Sequence, residues 1–141
     1  MVDIDITYEG ELHSEAIHRP SGSRLKTDAP VDNHGSGRSF SPTDLVAAGL
    51  GSCMATTMGI VARKKGYVID GLRVHVRKVM TSTLPRRIAR LETALSLPAP
   101  LGRALGPDAR VELERTAHNC PVRLSLLDAI EVPVQFDWQA P

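Results

Sequence analysis

Phe, Trp and Tyr make up only 4% of the 141 residues, too few rings for a stacking platform that binds single-stranded nucleic acid. Charge of one sign is also lacking. The 17 Lys and Arg against 16 Asp and Glu leave a net charge of +1, evenly spread. Neither nucleic acid nor an anionic membrane is an expected partner of such a chain. There is no internal repeat and no low-complexity tract, and a single domain over residues 1–141 is expected. No basic, apolar leader opens the chain, since residues 1–10, MVDIDITYEG, alternate and carry acids; this implies a cytoplasmic location. Cysteine is scarce, with Cys53 and Cys120 the only two. Without a secretion signal the pair reads as reduced or cycling thiols rather than as a structural staple.

What the sequence does have is one long stretch with an uncharged middle, SPTDLVAAGLGSCMATTMGIVARKKG, residues 41–66. Ser41 is a good N-cap and Pro42 suits the first helical position. Asp44 sits at the positive end of the helix dipole, Arg63, Lys64 and Lys65 at the negative end, and Gly66 provides the stop. Between Asp44 and Arg63 no residue is charged, and apolar side chains lie all round the helix. Such a helix must be buried on every side, which a chain this small has difficulty doing alone, so a dimer is expected. The run is long enough to cross a membrane at roughly 20 residues. Its Gly, Ser and Thr content keeps it only mildly hydrophobic and no aromatic belt flanks it, which argues against a membrane span.

The remaining chain predicts an α+β fold with antiparallel sheet. Residues 2–8 alternate as a half-buried strand, Glu9-Gly10 turns, residues 12–18 pair back, and residues 23–27 form a third strand. Residues 28–40, DAPVDNHGSGRSF, read as an exposed loop. After the long helix, residues 67–79 and 86–97 are expected to be strands, the second with a bulge. Gly106-Pro107-Asp108 starts a helix with Val111 and Leu113 facing inward. Pro121 opens a short helix capped by Cys120, and residues 130–136 form a last strand that Pro133 confines to an edge or bulge.

The two cysteines have different settings. Cys120, next to a starting helix, would meet N–H groups that stabilise a thiolate. Cys53 lies mid-helix, where the dipole is nearly cancelled, and needs a cation from elsewhere to react. Either thiol can also be a small buried hydrophobe. A metal site built from Cys53, Cys120 and His118 with another His matches no strong zinc spacing. His75 falls on a polar strand face beside Arg73 and Arg77 and reads as solvated.

SPTDLVAAGLGSCM followed much later by HNCPVRLSL resembles the OsmC/Ohr family of thiol-dependent hydroperoxide reductases, and the run HRPSGSRLKTDAP…GSGRSFSPTDL is similar to its OsmC-like branch. The resemblance covers nearly the whole chain. It implies an intertwined homodimer with long central helices wrapped by antiparallel sheets. It also implies that Cys53 is the peroxidatic thiol and Cys120 the resolving thiol, reduced by an external dithiol, with no metal or organic cofactor. The family's peroxidases add an Arg and a Glu that activate the thiolate. Here Pro20 stands at the place of that Arg and Thr43 at the place of that Glu. Arg38 in the glycine-rich loop is the substitute we select, ahead of Arg19 and Arg24, with Asp44 as the carboxylate. Asp44 and Cys53 are nine positions apart, about 13–14 Å along a helix and on nearly opposite faces. Asp44 can therefore serve Cys53 only across a dimer interface. Leu50, Met54, Met58 and Phe40 are expected to line an apolar pocket favouring organic hydroperoxides. The competing implication is an OsmC-like binding or scaffold protein without peroxidase activity.

Overall fold

Alternation of Ile with acidic residues makes the N-terminal segment a strand, and the two that follow pair with it. In a computed structural model describing residues 1–141, β1 (Ile4–Gly10), β2 (His13–His18) and β3 (Arg24–Asp28) form an antiparallel sheet in that order. The first turn lies later than expected. β1 continues through Gly10, and the chain reverses at Glu11 and Leu12, both with positive φ (48° and 64°). Ile6 pairs with Ala16 and Ala16 with Leu25, while Tyr8 pairs with Ser14 and Ser14 with Thr27. Cross-strand partners share a face, so one face of this sheet carries Ile4, Ile6, Tyr8, Ala16 and Leu25 among His18, Ser14 and Thr27. It is also uncovered, Ile4, Ile6 and Tyr8 being 58%, 70% and 65% exposed. The sheet, the loop that follows and the start of the long helix make one compact unit, Met1–Val46; the second is Ala47–Pro141.

Helix α1 spans Pro42–Lys65. It starts in a reciprocal capping box: the Asp44 N–H donates to Ser41 Oγ (3.2 Å) and the Ser41 N–H donates to Asp44 Oδ2 (2.7 Å), satisfying two N–H groups at once. It stops at Gly66, with φ +75°, where the Tyr67 N–H reaches back to the Ala62 carbonyl (2.9 Å).

In the second unit β4 (Arg73–Met80), β5 (Ile88–Pro98) and β6 (Val134–Ala140) form a sheet in that order. The expected strand from residue 67 begins only at Arg73, because Gly71 (φ +85°) and a turn closed by Leu72 N–H on the Ile69 carbonyl intervene. β5 is a strand with an irregularity, as its spacing predicted. Register slips beside Met80 and Ile88, after which Leu91, Thr93, Leu95 and Leu97 alternate into the core. β6 is an edge strand but pairs parallel to β5, which corrects the all-antiparallel expectation. The segment between them contains three helices, α2 (Ala99–Ala104), α3 (Pro107–His118) and α4 (Pro121–Ser125). A connection that long returns the chain to the end of the sheet where β5 began.

α2 was not foreseen. Its Gly102 lies against β6 so closely that a Cβ there would sit 1.6 Å from the Trp138 carbonyl oxygen. α3 buries Ala109, Leu113 and Ala117 and leaves Val111 64% exposed. The expectation for Val111 fails because positions 111 and 113 are some 200° apart on a helix, and the i, i+4, i+8 row won. α1 packs by its small-residue row: a Cβ on Gly51 would meet Val76 Cγ2 at 3.0 Å and Val74 Cγ1 at 3.3 Å. Leu50, Met54 and Met58 beside it are fully buried.

Candidate active site

Cys53 and Cys120 come together in the second unit, both reduced. Cys53 is half-buried on α1; Cys120 is completely buried. Cys120 occupies the N-cap of α4, as Pro121 predicted, and its sulfur accepts the Arg123 N–H at 3.4 Å. The expected thiolate stabilisation is outweighed, however. Burial pushes the Cys120 thiol up from its ordinary value, the Arg123 N–H pulls it back, and the neighbouring Cys53 thiol raises it again. A buried thiol held protonated makes a poor first nucleophile. The half-exposed Cys53 is the one that an oxidant can reach.

A groove of about 350 Å³, with neither cysteine in its wall, is lined by Thr57, Ile60 and Val61 of α1, by Arg115 and Thr116 of α3 and by Asn119 at the α3 C-cap. The helical period explains its position. Thr57 follows Cys53 by one turn, with its hydroxyl bonded to the Cys53 carbonyl (2.8 Å), and Ile60 and Val61 follow by two. Thr116 precedes Cys120 by four residues, and Asn119 adjoins it. The pocket expected from Leu50, Met54 and Met58 does not exist, since these side chains are core with no exposed surface. Phe40, the fourth residue expected there, is 53% exposed. The groove follows the α1 stripe that runs on from Cys53 through Thr57, Ile60 and Val61.

Arg38 and Asp44 lie in the first unit. The Asp44 carboxylate accepts the Ser41 N–H within the capping box. The Arg38 guanidinium is exposed, with one long hydrogen bond to Ser36 Oγ (3.5 Å), while its main-chain N–H donates to Asp28 Oδ2 at 2.9 Å. Sequence reasoning passed over Asp28 as the first residue of a loop. It is 1% exposed. The Arg38 N–H holds its carboxyl below the ordinary carboxylate range against the opposing effect of burial, helped by the charges of His13 and Arg38 and by the Ser36 N–H. Only its place at the end of a strand, opening a loop rich in Gly and Pro, hinted at this role.

No group of three or more His, Cys, Asp or Glu side chains converges in a metal-binding arrangement. His118 is occupied edge-on with Phe136 at 5.9 Å between ring centres. His75 lies on the solvent side of β4, as read.

The family model described as OsmC-like protein matches residues 35–135. No curated protein matches. Among solved structures, a protein from Psychrobacter arcticus, provisionally described as an osmotic stress induced and detoxification response protein, is 39% identical, with a TM-score of 0.87 and 96% of each chain covered. An organic hydroperoxide resistance protein OsmC from Legionella pneumophila is similar in fold at 14% identity, with a TM-score of 0.75 over 97% of this chain and 96% of that one. An organic hydroperoxide resistance protein from Elizabethkingia anophelis, with bound thiocyanate, gives 16% identity and a TM-score of 0.76 over 97% and 95%.

Proposed function

The chain belongs to the OsmC-like family, and within it we propose that it is a thiol-dependent reductase of organic hydroperoxides, acting in the cytoplasm in defence against peroxide stress. The observation that carries this reading is the meeting of two free thiols, one half-exposed and one buried with its titration pushed up by burial.

The Cys53 thiolate attacks the distal oxygen of the hydroperoxide. An S–O bond forms, the O–O bond breaks, and the alkoxide leaves and takes up a proton to become the alcohol. Cys53 is then a sulfenic acid. The Cys120 sulfur attacks it, an S–S bond forms, and hydroxide leaves with the Cys120 proton as water. An external dithiol supplies two electrons and two protons to restore both thiols. No metal or organic cofactor enters the cycle. Arg38 supplies the cation that favours the Cys53 thiolate. Asp44, whose Oδ2 accepts the Ser41 N–H in the capping box, we assign to the helix start.

The working form we propose is a homodimer. The exposed Ile4, Ile6 and Tyr8 face needs a cover, and only 33% of the apolar window of α1 is buried in one chain, although that window has a mean hydropathy of 1.7. A second copy supplies both. Light scattering at micromolar concentration should give twice the chain mass.

Peroxide-dependent oxidation of a supplied dithiol tests the enzyme directly. Cys53→Ser should abolish it. Cys120→Ser should leave Cys53 trappable as a sulfenic acid, and no sulfenic acid should be trapped on Cys120 in Cys53→Ser. A pure, folded protein that never consumes the dithiol would instead be a binding or scaffold member of the family.

A further inference from the structure

The wall of the α1–α3 groove contains two hydroxyls, yet neither has a hydrogen to offer. Thr57 Oγ1 donates to the Cys53 and Met54 carbonyls (2.8 and 3.0 Å) and Thr116 Oγ1 to the Glu112 carbonyl (2.8 Å). The end of α3 is closed as well. Asn119 Nδ2 donates to the Arg115 carbonyl (2.8 Å), the Asn119 N–H to the Arg115 and Thr116 carbonyls (both 3.2 Å), and the Cys120 N–H to the Ala117 carbonyl (3.3 Å). Beside Ile60 and Val61, the one strong polar group left in this wall is Arg115. It is exposed, and its guanidinium forms no ion pair and no hydrogen bond within the chain. The acids nearest to it on α3 are engaged elsewhere. Glu112 takes the Tyr67 hydroxyl (3.2 Å) and Lys65 Nζ (3.4 Å), and Glu114 takes Trp138 Nε1 (2.8 Å).

We propose that this groove is a binding site for an anionic amphiphile, an alkyl chain lying against Ile60 and Val61 with its carboxylate on the Arg115 guanidinium. Its volume of about 350 Å³ falls within the usual range of small-molecule sites, about 300–1,000 Å³. The charge decides among occupants. An apolar surface of a second copy laid over this face would shut the guanidinium away from water without a partner, which is costly. A neutral chain would leave it hydrated at the edge and gain nothing from it. A chain ending in a carboxylate uses both features, because the planar guanidinium can donate two parallel N–H···O bonds to it. The site is independent of the peroxidase reading, since neither thiol lies in its wall.

The probe is octanoate, titrated into the reduced, full-length, isotope-labelled protein while its amide resonances are followed, a readout that needs no turnover. Octanoate should bind at millimolar concentration and shift the amides of Thr57, Ile60, Val61, Thr116 and Asn119 ahead of the rest. Octanol should bind about fivefold more weakly, the size of one partly exposed ion pair, and acetate, with no chain, should not bind. Arg115→Gln should bring octanoate down to the octanol level and leave octanol unchanged, and Arg115→Lys should restore most of the difference. Added salt should weaken octanoate and spare octanol. Equal affinity for octanoate and octanol, or octanoate binding untouched by Arg115→Gln, would overturn the proposal, and so would shifts centred elsewhere on the chain. If octanoate shifts nothing and Arg115→Gln changes the oligomeric state in light scattering, the groove belongs to a contact between copies and the proposal falls. Each of these results leaves the test of dithiol consumption unaffected.

Discussion

If the α1–α3 groove receives the organic part of the substrate, turnover should depend on alkyl length in a calculable way. The groove is about 350 Å³ and open on one side, with Ile60 half-exposed along it. A bound chain therefore leaves roughly half its surface in water. A fully buried methylene contributes about 0.8 kcal/mol, so a half-buried one contributes about 0.4 kcal/mol, or roughly a factor of two in kcat/KM. From a butyl to an octyl hydroperoxide the gain should be about 1.6 kcal/mol, or on the order of 15-fold. Hydrogen peroxide, with nothing to bury, should be the poorest substrate of the series. The assay is initial-rate consumption of each peroxide at limiting concentration with excess dithiol. Ile60→Asn, which places an amide in the groove wall, should flatten the slope. A series in which rate does not change with chain length would refute the assignment of this groove, and a preference for hydrogen peroxide would refute the substrate class.

Three further outcomes follow from local geometry. Asp44→Ala removes one half of the capping box and should lower stability by about 1 kcal/mol in urea unfolding, while the rate of Cys53 oxidation stays near that of the parent. The Asp28 carboxyl is held below its ordinary value in the fold, so its stabilisation is fully present above the unfolded-state value and is lost as pH falls through the lower, folded-state value. Urea midpoints should hold steady near neutrality and decline below about pH 4, with part of that decline missing in Asp28→Asn. Gly102→Ala drives a methyl into the Trp138 carbonyl and should destabilise by about 3 kcal/mol or more, visible as a large drop in thermal midpoint.

The elements with strong local signals were legible in the sequence. Ser41, Pro42 and Gly66 fixed α1, Pro121 placed Cys120 at a helix start, and the broken spacing of Ile88, Leu91 and Leu95 announced an irregular strand. Pair orientation was not legible, because β6 runs parallel to β5 through the length and path of the intervening helices, not through anything in residues 130–136. α2 was missed because Pro98 and Pro100 signal an end to a strand equally well whether a loop or a helix follows. Within the site, residue types pointed to the two thiols, but partners depended on packing. The burial that outweighs the α4 start at Cys120 comes from the surrounding core. Asp28 became significant only when a loop folded over it, and Met54 and Met58, plausible as pocket residues by composition, were drawn into the core by the same row that holds Leu50.

The sulfur of Cys120 is also the cap of α4, a helix only five residues long. The lone pair that accepts the Arg123 N–H thus sits on the atom that must bond to Cys53 in a disulfide. In the proposed disulfide an S–S bond replaces the S–H bond, and the direction in which it turns the sulfur decides whether the Arg123 N–H keeps its acceptor. Leu124 and Leu127 beyond it are already 68% and 70% exposed, which leaves little packing to hold the segment in register. Should that hydrogen bond be lost, the folding of one short helix would record the redox state of the proposed pair.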